Sequence, residues 1–133
     1  MIYYEKPATG YKSLSKKQVG ELQEVFSCGC CWILAITLHR MFGYPISAVI
    51  DEDGCLEHAW VVRADDGMEI DIMGANKVCW GKPTHTGMLE SVFLKSFGSS
   101  PKQRLSLSDE QFEHCKQVVV EHLIPTYNLL HTS

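Results

Sequence analysis

Residues 31–42, Cys-Trp-Ile-Leu-Ala-Ile-Thr-Leu-His-Arg-Met-Phe, constrain this chain more than any other segment. The stretch has helical length and no internal breaker, and Gly43 followed by Pro45 is a stop signal just beyond it. It is apolar nearly all round, and a helix of that kind belongs in the middle of a core. A chain of 133 residues builds one ordinary core. A single domain over residues 1–133 is therefore expected, with this helix at its centre. The longest unbroken apolar run, residues 30–36, falls far short of the roughly 20 residues of a bilayer span.

The segments around that helix read as mixed structure. Ser15 with Gln18 has the form of a capping box, and Val19, Leu22, Val25 and Phe26 follow at helical spacing, which predicts a helix over 16–25. Residues 46–50, 58–63 and 69–73 read as strands, divided by turn signals at 51–54 and 65–67. The order is helix, helix, antiparallel meander, so the fold class is α+β. Residues 74–85 read as loop with a short strand at 77–80, and 87–97 as a helix closed by Gly98. Ser108 with Gln111 caps a final helix whose stripe is Phe112, Cys115, Val119 and Leu123, and Pro125 ends it.

Net charge is −4, from 12 basic and 16 acidic residues, so no basic excess exists to hold a nucleic acid or an anionic membrane. Six cysteines stand out, at 28, 30, 31, 55, 79 and 115. The first residues lack the basic segment and apolar stretch of a signal peptide, which points to thiols in a reducing cytosol. Three readings compete for the crowded trio at 28, 30 and 31. Cysteine is among the most buried residue types, so the trio can be plain packing in a non-catalytic interaction domain. Two of Cys28, Cys30 and Cys31 with Cys55 and His58 give a three-cysteine, one-histidine zinc set, although Cys-x-Cys is not the commoner zinc spacing. The third reading is a reactive thiol.

Cys31 begins the apolar helix, where free N–H groups and the helix dipole favour thiolate over thiol. The same N–H groups can receive the oxyanion of acyl transfer, with the Cys31 N–H as one donor. A thiol nucleophile wants a histidine and a group that orients it. His58 lies 27 residues after Cys31, at the start of a strand, and Asp71 lies in the next strand. Two registers decide the third member. If a two-residue turn sets residue 62 opposite 71, Asp71 is about 13 Å along from His58 at ~3.3 Å per residue, and Asn76 becomes the orienting residue. If 62 faces 67, then 58 faces 71 and the set closes on one face.

Cys31-Trp32, the apolar helix, Gly43-Tyr44-Pro45, His58-Ala59-Trp60-Val61 and Glu69-Ile70-Asp71 together resemble the transglutaminase-like core of the papain-like cysteine-enzyme superfamily. Cys28-Gly29-Cys30-Cys31-Trp32 also resembles the papain-type nucleophile segment, Cys-Gly-Ser/Ala-Cys-Trp. The resemblance covers residues 28–74. It implies a central helix headed by the nucleophile and packed on an antiparallel sheet. It further implies a cysteine hydrolase or acyltransferase (protease, amidase, deamidase or acyltransferase) with no metal or organic cofactor, acting on a protein or peptide. Cys31 would be nucleophile, His58 general base, and Asp71 the orienting group, preferred to Asn76 because it fits the family's Cys-His-Asp order. The papain-type glutamine six residues before the nucleophile has no counterpart: Val25 holds that position and Gln23 is two residues away. Small stand-alone members of such a family suggest an effector or toxin by analogy alone.

Overall fold

The computed structural model describes residues 10–78, 80–97 and 106–129, with the backbone only at Cys28. Two helices open the described chain, α1 (Lys16–Cys28) and α2 (Cys31–Phe42). Strands β1 (Ile46–Ile50), β2 (Leu56–Val62), β3 (Glu69–Asp71), β4 (Gly74–Asn76) and β5 (His85–Met88) follow. Helix α3 (Glu90–Ser96) comes next. The last elements are α4 (Asp109–Val118), a π turn (Val119–Leu123) and α5 (Ile124–Tyr127). The architecture is α+β, with one antiparallel five-stranded sheet in the order β4-β3-β2-β1-β5.

Helix α2 occupies the centre that its composition demands. Cys31, Ile33, Leu34, Ala35, Ile36, Thr37 and Leu38 are all buried, and α1, α4 and β2 pack around it. Thr37 satisfies its hydroxyl within the helix, donating to the Ile33 carbonyl at 2.7 Å. Gly43 ends the helix at φ +76, where its N–H reaches the His39 carbonyl. The left-handed conformation there is open to glycine at no steric cost. Beneath α2 the sheet contributes Ile46 and Ala48 from β1, Ala59 and Val61 from β2, and Ile70 from β3. Those are alternate positions on each strand, as a two-faced sheet requires. Trp60 and His58 occupy the intervening positions on β2, and Trp60 is fully buried yet outside the cluster that holds α2.

Several boundaries differ from the sequence reading. Helix α1 runs three residues past the expected 25, through Phe26, which is buried, to Cys28. The short strand lies at Gly74–Asn76 instead of 77–80, because it pairs with β3 straight after the turn at Ile72 and Met73. The expected helix over 87–97 starts at Glu90, since residues 85–88 extend the sheet along β1 with Gly87 at φ +64. Gly98 lies outside the described residues. Pro125 does not end the final helix. Its missing N–H would orphan a carbonyl in an unbroken α-helix. The π turn intervenes, Ile124 N–H bonds to the Val119 carbonyl, and Pro125 falls in the first turn of α5, where no N–H is needed. No single described helix is long and apolar enough to cross a membrane.

Cys115 of α4 is fully buried, and burial pushes its thiol up to about 12 against a hydrogen bond with the Thr37 side chain that pulls it down. A folded-state value above the unfolded one gives stability that is intact below about pH 9 and lost as pH rises toward the folded value. Thermal unfolding of the wild type should therefore fall more steeply between pH 9 and 11 than that of Cys115→Ala. Parallel slopes would show that this thiol does not control alkaline stability.

Candidate active site

The hairpin between β2 and β3 sets the geometry of the site, and its register matches neither of the two considered from sequence. Val62 pairs with Glu69 and Val61 with Ile70. The cause lies in the turn. Arg63 forks onto Asp66 at 3.0 and 2.7 Å, Asp66 accepts the Met68 N–H at 3.0 Å, and Gly67 takes φ +72. Arg63 N–H then bonds to the Met68 carbonyl at 2.8 Å. Continued by one pair, this register sets Asp71 opposite Trp60 and diagonal to His58 on the same face. Diagonal neighbours are within reach of long side chains.

That reach is used. His58 Nε2 and Asp71 Oδ2 are 2.9 Å apart, with both side chains almost wholly buried. Asp71 Oδ1 accepts the Met73 N–H at 2.8 Å, so both carboxylate oxygens are occupied. An acceptor on Nε2 fixes the proton there and leaves Nδ1 as the nitrogen free for proton transfer. Nδ1 is buried and has no hydrogen-bond partner among the described residues. A bulge precedes His58: Val49 pairs with His58 but Ile50 with Leu56, so Glu57 is the extra residue. Bulges re-aim the side chains beside them. Asn76, the alternative orienting residue, pairs with Glu69, is exposed, and donates to the Met73 carbonyl at 3.3 Å, away from His58.

Two indoles flank the imidazole. The Trp60 ring lies 5.8 Å from it and the Trp80 ring 5.0 Å, centroid to centroid. Trp60 is core, as its strand position implies, whereas Trp80 is 54% exposed and covers His58 from the loop after β4. Sequence reasoning missed Trp80 because that loop has no period to read. The available signal was a large aromatic alone between Lys77 and Pro83.

Cys31 stands at the first position of α2, with Cys30 as a cap residue that makes no side-chain capping bond. Its sulfur meets the strand at the backbone N–H of Ala59, the residue after His58. Burial pushes the thiol up to about 11, with a smaller upward push from Cys30, while the N–H groups of Ala59, Trp32 and Cys31 itself pull it down. Burial thus favours the thiol over the thiolate. No hydrogen bond joins Cys31 to His58. Of the three sequence-derived residues, His58 and Asp71 are joined directly, and the Cys31 sulfur meets the N–H of Ala59, the residue next to His58.

Among the described residues no group of three or more His, Cys, Asp or Glu side chains is arranged to hold a metal, so Cys30, Cys31, Cys55 and His58 do not form the zinc set. Cys55 is exposed, whereas His58 is buried and spends Nε2 on Asp71. Cys31, Cys55 and Cys115 are free thiols, and Cys79 and the Cys28 side chain lie outside the described structure. Among the described residues, His39 meets the Tyr44 carbonyl, His85 the Thr84 hydroxyl, His114 the Tyr11 hydroxyl and His122 the Thr126 hydroxyl. No family model, curated protein or solved structure matches this chain.

Removing the carboxylate should expose how much the fold leans on this pair. Asp71→Ala strands a buried imidazole N–H and the Met73 N–H, which should cost about 1–3 kcal/mol in denaturant unfolding. An unchanged midpoint would show that water replaces both bonds without penalty.

Proposed function

We propose that this chain is a thiol enzyme acting on amide or acyl bonds of a protein or peptide, with the papain-like and transglutaminase-like arrangement of Cys31, His58 and Asp71. The observation that carries the reading is the buried His58–Asp71 bond, which commits Nε2 and leaves Nδ1 unpartnered one residue from the Ala59 N–H that meets the Cys31 sulfur. In the reaction His58 Nδ1 takes the Cys31 proton as sulfur bonds to the carbonyl carbon, and the carbonyl π electrons pass to oxygen. Backbone N–H groups at the start of α2 face the oxyanion. Collapse expels the amine, which receives the proton from Nδ1, and water or a second amine then releases the acyl group from sulfur. Asp71 holds the tautomer and balances the imidazolium throughout.

For that chemistry the thiol has to come into hydrogen-bond reach of Nδ1, which has no partner in the described arrangement. One observation favours a second reading, a non-catalytic interaction domain: Cys31 is buried and held up to about 11 with no bond to His58.

The rate of Cys31 alkylation by iodoacetamide between pH 6 and 11 separates the two. A thiol assisted by His58 should give a reactive plateau near neutral pH that His58→Ala lowers at least tenfold. Cys31→Ala should abolish that neutral plateau and leave only the slower labelling of exposed Cys55, and Cys28→Ala should not abolish it. A rate that climbs about tenfold per pH unit toward 11, unaltered by His58→Ala, would falsify the enzyme reading.

A further inference from the structure

We infer that Tyr127 is a positioning residue for Asp71, acting through the backbone of Gly74. The inference rests on the reading of Asp71 as the group that orients His58. Asp71 pairs with Gly74 across the turn at Ile72 and Met73, and one Asp71 oxygen is tied to the Met73 N–H inside that turn. The carboxylate therefore moves with the turn. Gly74 sits at φ +92, and a Cβ added there would lie 2.6 Å from both Cγ and Cδ1 of Tyr127 and 3.1 Å from its Cβ. The aromatic ring thus rests directly on the strand backbone, an approach and a conformation that only glycine permits.

Tyr127 is itself held from several sides. The π turn sets the phase of α5, and Asn128 closes it at φ +52. The ring of buried His122 stands edge-on to the tyrosine at 6.1 Å. Arg63 Nη1 donates to the Leu129 carbonyl at 3.1 Å, joining the end of the chain to the β2–β3 turn. A closed frame results: β2, Arg63, Leu129, Tyr127, Gly74, Asp71, His58 and back to β2. Catalytic geometry tolerates little slack, since a displacement of about 1 Å can cost a hundredfold in rate. The tyrosine hydroxyl has no part in the frame, so the ring alone is required.

The test uses the His58 Nε2–H proton resonance and the His58-dependent rate of Cys31 alkylation at neutral pH, measured on the full chain. Tyr127→Phe should keep the slowly exchanging resonance and the wild-type rate. Tyr127→Ala should broaden the resonance by solvent exchange and lower the rate at least tenfold. Phe112→Ala, which removes an aromatic ring outside the frame, should leave both intact at a comparable loss of thermal stability. If Tyr127→Ala does not fold, Tyr127→Leu takes its place and should show the same loss. A wild-type resonance in the Ala or Leu variant, or equal loss in Phe112→Ala, would overturn the role of Tyr127. Wild-type alkylation that does not depend on His58 would defeat the enzyme reading alone, because the resonance still reports on Tyr127.

Discussion

A helix with no polar face has to be surrounded, and α2 imposes that requirement on everything else in the chain. It dictates helices on one side, a sheet on the other, and strands whose alternate positions are apolar. It also fixes the fate of its own first residue. A side chain at the start of a helix whose first two turns are mostly buried is drawn partly out of water, so Cys31 gains backbone N–H donors and loses hydration together. Desolvation prevails, and the balance of those two effects defines the chemical character of the site.

Much of this was legible in the residues. The capping boxes at Ser15 and Ser108, the length of α2 and its glycine stop follow from local chemistry that operates over three or four positions. The pairing of His58 with Asp71 was not legible in detail, because register depends on turn geometry. There, an Arg63–Asp66 fork and a left-handed Gly67 chose a pairing intermediate between the two simplest ones. The π turn was equally hidden: Pro125 signals a break in helical hydrogen bonding, and tertiary packing decided that the break be absorbed by a wider turn. Trp80 was invisible for a different reason, since a loop residue is placed by its anchors and these lie at β4 and Thr84, which donates its N–H to the Ala48 carbonyl at 2.9 Å.

The described site combines a finished half and an unfinished half. The imidazole and carboxylate are bonded, buried and flanked by aromatic rings, and the carboxylate has no lone oxygen left over. The thiol is close along the backbone but not bonded to the imidazole. An orphaned buried nitrogen such as His58 Nδ1 costs free energy and calls for a reason.

The flanking of His58 by Trp60 and Trp80 has an optical consequence. A protonated imidazole quenches indole emission, and two of the chain's three tryptophans lie within 6 Å of this ring, one in the core and one 54% exposed. The protein thus contains two built-in fluorophores that view one imidazole from opposite environments. Their emission wavelengths differ with exposure, so the packing on the core side of His58 and the position of the Trp80 loop are recorded in separate parts of one spectrum.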